Sequence, residues 1–153
     1  MKKLVISLLA LMTIAGSLSA QDNAVGFRIG AMKGFGMELS YQTYLNDINR
    51  IEADLGLRFY GHHAALTMAG GYQWHWFLAG GFGVYGGPAA MLAYTFWPLD
   101  QKFNLGLGAQ VGFDYQLNIP IQLHLDFRPT YNFFGGHLQG FDPYVAVGAR
   151  YSF

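Results

Sequence analysis

The chain has 153 residues, of which 52% are hydrophobic, 17% aromatic and 12% charged, with no cysteine. That is about half the usual charge of a soluble domain, which excludes intrinsic disorder, while the missing cysteines exclude a disulfide framework. Nine Lys and Arg balance nine Asp and Glu, and no basic cluster exists to displace counterions, so nucleic-acid binding is not expected.

Residues 1–20 read as an export signal. Met1-Lys2-Lys3 is a basic start, Leu4 to Ile14 is apolar apart from Ser7 and Thr13, and Ser17-Leu18-Ser19-Ala20 offers a small-residue cleavage site. This is the pattern of a cleaved secretory signal peptide, and its apolar core is too short to span a membrane comfortably. Cleavage after Ala20 leaves residues 21–153 as one domain. Without Lys2 and Lys3, its seven basic residues face nine acidic ones, a formal charge of −2.

The remaining chain alternates with a period of two, which predicts strands rather than helices; its many glycines also weaken helices. In the first strand Val25, Phe27, Ile29 and Ala31 alternate with Gly26, Arg28 and Gly30. In the second Met37, Leu39 and Tyr41 alternate with Glu38, Ser40 and Gln42. In the third Ile51, Ala53, Leu55, Leu57 and Phe59 alternate with Glu52, Asp54, Gly56, Arg58 and Tyr60. The fourth, over 65–77, sets Leu66, Met68, Tyr72, Trp74 and Trp76 on one face. The fifth, over 82–96, does the same with Phe82, Val84, Ala90, Leu92, Tyr94 and Phe96. Pro88 interrupts it and removes a ladder donor, so a bulge or local break is expected there. The sixth runs from Leu105 to Leu117, the seventh from Ile121 to Tyr131, and the eighth ends at Phe153.

Eight strands of roughly 10 residues fit the length with room for seven connections. Tight or short connections are expected at 32–34, 45–49, 61–64, 78–81 and 118–120. Longer ones are expected at 97–102 and 134–142.

Strand charges obey the alternation. Arg28, Glu38, Glu52, Asp54, Arg58, Asp114, Asp126, Arg128 and Arg150 all fall on one face, and the other face carries none. Asp22, Lys33, Asp47, Arg50, Asp100, Lys102 and Asp142 are assigned to turns, loops or strand ends. A soluble barrel needs a charged exterior, for which nine residues over eight strands are too few. A membrane barrel needs an uncharged exterior, because Arg or Lys at mid-membrane costs ~2–4 kcal/mol. The expected fold is therefore all-β: an eight-stranded antiparallel up-and-down transmembrane β-barrel with the charges forming a lumen network. Aromatics mark both strand ends, with Tyr41, Trp74, Trp76, Tyr115, Tyr151 and Phe153 at one and Phe59, Tyr94, Phe96, Trp97, Tyr131 and Phe133 at the other. Two such bands suit girdles at two membrane interfaces.

The terminal segment places Val145, Val147, Ala149, Tyr151 and Phe153 on one face. It resembles the C-terminal assembly signal of bacterial outer-membrane barrels. With the leader and eight strands, the chain resembles the small outer-membrane β-barrel domains of the OmpX and OmpA-transmembrane-domain type over residues 22–153. The resemblance implies a location in the cell outer membrane, contact with its lipid and recognition of the last strand by the barrel-assembly machinery. It also implies periplasmic termini, with outer connections near Lys33, near His62-His63, at 97–102 and at 134–142. OmpX-like proteins carry long outer loops; the first two here are short, and no further domain is expected after the barrel.

Chemistry is sparse. Small outer-membrane barrels include lipid A-modifying acyl-transfer enzymes, but Ser40 and Ser152 are the only serines after residue 20 and both are expected to face inward. No catalytic residue and no cofactor are assigned. His75 and His124 are expected to be lumen hydrogen-bond partners. His62-His63 lacks the spacing of a metal site, and the Gly80 to Gly87 region lacks the GK[ST] ending of a phosphate loop. The expected role is structural or interactive, with the lumen plugged by its charges; a narrow porin-like passage for small solutes is the alternative. A monomer is expected.

Overall fold

The computed structural model describes residues 23–31, 33–97, 102–134 and 139–153. Residues 1–22, where the export signal and its cleavage site are expected, lie outside them, as do Met32, residues 98–101 and residues 135–138. The elements are β1 (Asn23–Ala31), β2 (Phe35–Tyr44), β3 (Asn49–Tyr60), β4 (His63–Phe77), β5 (Phe82–Trp97), β6 (Lys102–Gln116), β7 (Ile121–Asn132) and β8 (Gly140–Ser152). Each strand pairs antiparallel with the next, and β8 pairs with β1 to close the barrel. Closure leaves no unpaired edge, the requirement for a sheet in hydrocarbon.

The stagger of the barrel follows from its register. A row of paired residues runs from Ala24 through Gln42, Glu52, Gly71, Ala89, Gly108 and Thr130 to Asp142. Continued at the Ala31↔Val145 register, the β8–β1 ladder would bring Asp142 opposite position 34, ten residues past the start. Such a stagger demands strands tilted by ~35–45° to the barrel axis.

Faces separate as the alternation requires. Phe27, Ile29, Leu55, Leu66, Leu125 and Val147 are exposed on the outside, while Arg28, Glu52, Asp54, Asp126 and Arg150 are almost wholly buried. The interior of an eight-stranded barrel is only wide enough for side chains, and inward glycines make room for the largest. A Cβ on Gly30 or Gly36 would strike the Tyr144 ring, and one on Gly112 would strike Tyr85.

Three turns link the strands at the end where β1 begins and β8 finishes. In the first, Leu45 N–H donates to Asn49 O (2.8 Å), and Asn46 Oδ1 accepts from the Ile48 and Asn49 amides at 3.1 and 2.9 Å. The second uses Gly80 and Gly81 at φ 70° and 85°, a region that favours glycine. The third runs from Leu117, whose amide donates to Ile121 O at 3.0 Å.

The local break expected at Pro88 falls in the ladder and not in the strand itself. β5 runs unbroken through Pro88, but its pairing with β4 lapses where Tyr72 and Gln73 face Gly87 and Pro88, without a change of register. The register shift lies instead at Ala64/Ala65. A matching lapse separates β6 from β7 where Ala109 and Gln110 face Arg128 and Pro129. Proline has no N–H to donate, so a neighbouring strand loses a rung without being displaced.

Candidate functional site: the ion-paired lumen

The lumen holds five arginines and six carboxylates among the described residues, each at most 5% exposed. They form three tiers. The central tier is built on Glu52 of β3, which receives Arg28 Nη1 (2.5 Å), Arg128 Nη2 (2.8 Å) and Arg150 Nη2 (2.5 Å). Gln110 and Gln73 add amide donors to it at 2.9 and 3.1 Å. Arg28 also reaches Asp54 (2.8 Å), Asp126 (2.7 Å) and Glu38 (3.1 Å), while Arg128 pairs with Asp54. One carboxylate thus meets guanidinium groups from three strands. Burying an ion is costly unless its partners and hydrogen bonds are all in place.

Toward the open loops, Arg58 pairs with Asp142 and lies over the Tyr144 ring at 4.1 Å, and Tyr60 and Thr95 share a hydroxyl hydrogen bond of 2.8 Å. Toward the termini, Arg50 donates to Asp114 (2.7 Å), Gln73 (2.6 Å) and Tyr44 (3.2 Å), with the Tyr85 ring 4.3 Å from its guanidinium carbon. Asp114 also meets His75 Nε2 at 3.0 Å, and His75 Nδ1 faces the Tyr44 hydroxyl at 3.1 Å.

The structure places all nine charges read from the alternation inside the barrel and adds two. The alternation puts Arg50 and Asp142 in turns, loops or strand ends, yet they sit within β3 and β8 and are 0% and 1% exposed. Both continue the inward parity, Arg50 two residues before Glu52 and Asp142 two before Tyr144, so extending each strand by one repeat would have found them. Lys33 and Asp47 do lie exposed in connections.

His75 takes the hydrogen-bonding role expected of it. His124 differs: it is buried between β6 and β8, but neither ring nitrogen reaches a partner among the described residues. Ser40 Oγ accepts from Arg150 Nε and Nη2 at 3.1 and 3.0 Å, so its hydroxyl is engaged by a guanidinium rather than by a histidine base. His63 stacks its ring on Tyr60 at 5.5 Å.

The outer aromatics stand at both rims. Trp74, Trp76, Tyr151 and Phe153 are exposed at the terminal end, with Tyr41 and Tyr115 half-buried there. Phe59, Tyr94, Phe96, Tyr131 and Phe133 are exposed at the other. The Trp97 side chain lies outside the described residues. Val145, Val147, Ala149 and Tyr151 face outward on β8, and Phe153 closes the seam, its amide donating to Asn23 O at 2.8 Å.

A closed sheet that is apolar outside and ion-paired inside defines a class, the transmembrane β-barrels, since only hydrocarbon makes that polarity favourable. The chain has the fold of small outer-membrane barrels in particular. Neisserial surface protein A matches with a TM-score of 0.63 at 17% identity, over 86% of this chain and 94% of that one. The N-terminal β-barrel domain of Pseudomonas aeruginosa OprF matches with a TM-score of 0.64 at 13% identity, over 88% and 100%. A de novo designed transmembrane β-barrel also matches, with a TM-score of 0.57 at 14% identity, over 89% and 98%. No protein-family model matches the chain, and no curated protein does.

Proposed function

We propose that this protein is an integral barrel of the cell outer membrane whose lumen is closed by its own ion pairs, and that its role is structural or interactive rather than enzymatic. The carrying observation is the Glu52 tier. Three arginines, two glutamines and the linked Asp54 and Asp126 cross the lumen from β1, β3, β4, β6, β7 and β8. A solute would have to part this network and leave several charges unpaired, a cost of several kcal/mol per ion. The likeness to outer-membrane barrels supports the location, as does the export-signal pattern of residues 1–20. In this orientation the termini are periplasmic, the outer face contacts membrane lipid, and the last strand is what the assembly machinery reads. Planar-bilayer recordings on the purified protein test the closed lumen. The wild type should show no sustained conductance; stable single-channel steps would favour a narrow solute passage.

A further inference from the structure

The barrel is plugged at its middle but open at the end that holds the termini. A cavity of about 580 Å³ lies there, within the size range of small-molecule sites. Its floor and walls are not those of a passive mouth. Gln42 and Gln122, 1% and 7% exposed, line it, and Gln42 Nε2 and Gln122 Oε1 find no partner among the described residues. One is a donor and the other an acceptor, both buried in a position where unmade hydrogen bonds are expensive. Phe77 also lines the cavity. It continues the inward parity of His75 yet is 68% exposed. Its ring stacks with Tyr44 (centroids 6.4 Å, 16° between planes) and stands edge-on to His75 at 4.3 Å. One side of the ring thus packs on Tyr44 and His75, and the rest, 68% exposed, is left to the cavity.

Charge is spent before it reaches the cavity. Asp114 is the one ionisable carboxylate among the lining residues, and Arg50 and His75 already hold it. A charged ligand would find no free counter-charge among these residues, whereas a neutral ligand would find an amide donor, an amide acceptor, the Ser152 hydroxyl and the open face of Phe77. We propose that this mouth binds a neutral saccharide carrying hydroxyl and acetamido groups. The sugar's C–H face would lie on Phe77, which Tyr44 backs, and its polar edge on Gln42 and Gln122. The inference requires only that the mouth meet water, and it stands whether or not the lumen conducts.

The test uses the full barrel in a zwitterionic detergent without a sugar headgroup. N,N′-diacetylchitobiose is titrated and followed by saturation-transfer NMR, with spermidine and triglycine in parallel. Heat-modifiable electrophoretic mobility verifies that each variant is folded. Saturable binding of the saccharide is expected, lost in Phe77→Ala, retained in Phe77→Trp and weakened about fivefold or more in Gln42→Leu, the equivalent of one lost hydrogen bond. No saturable saccharide signal from the folded wild type would overturn the proposal. So would binding unchanged by both Phe77→Ala and Gln42→Leu, or a preference for spermidine or triglycine.

Discussion

At the scale of single residues, Glu52 decides how the interior is organised. Its two carboxylate oxygens take three guanidinium and two amide groups, so every arginine of the central tier depends on a neighbour that also depends on Glu52. Removing one member strands the others in a low-dielectric site. Arg128→Ala should therefore destabilise the folded barrel by about 3–5 kcal/mol, the cost of orphaning a buried ion pair. Urea titration of the heat-modifiable band measures it; an unchanged midpoint would mean that Asp54 and Glu52 are solvated. Nine of the eleven buried charges were legible from alternation alone, because a charge in a strand has only two sides to choose from. Arg50 and Asp142 escaped because glycine, proline and loop-forming neighbours hid the strand ends. The exposed Phe77 escaped for another reason. Its parity is inward, but a sequence cannot tell a packed inward aromatic from one facing an open mouth.

At the scale of strands, β7 shows how period-two patterning becomes architecture. Leu123, Leu125 and Phe127 face out, while Gln122, His124, Asp126 and Arg128 face in, along an unbroken strand from Ile121 to Asn132. β5 was harder to read, because Gly86, Gly87 and Pro88 erase the hydrophobic contrast; the ladder tolerates them by dropping a rung to β4. β8 carries a separate proposal. Phe153 shares two backbone hydrogen bonds with Asn23, at 2.8 and 3.2 Å, so it belongs both to the closing seam and to the proposed assembly signal. Deleting Phe153 should lower the membrane-inserted yield in cells several-fold while leaving detergent refolding of the purified chain nearly intact. Only two peripheral hydrogen bonds are lost, each worth about 1 kcal/mol. Quantitative blotting of membrane fractions beside in vitro refolding separates the two roles, and an unchanged yield in cells would remove the assembly role from this residue.

At the scale of the whole molecule, the fold is an inversion of a soluble barrel: the charge is inside and the grease outside. The barrel and its strand number were legible because register, parity and length converge on one solution. The tiered ion pairs and the open mouth were not, because the ten-residue stagger brings together residues far apart in sequence, such as Arg28 with Asp126 and Arg58 with Asp142. The natural chain has no cysteine, so single nitroxide labels can be placed without background at Phe27, Leu55, Leu125 and Val147, all outward on different strands. Power-saturation EPR of the reconstituted protein then compares collisions with oxygen, which partitions into lipid, against a water-soluble nickel chelate. High oxygen and low nickel accessibility are expected at all four positions. Labels that collide freely with the nickel chelate, on a protein that stays dispersed without detergent, would put the apolar face in water and overturn the membrane orientation.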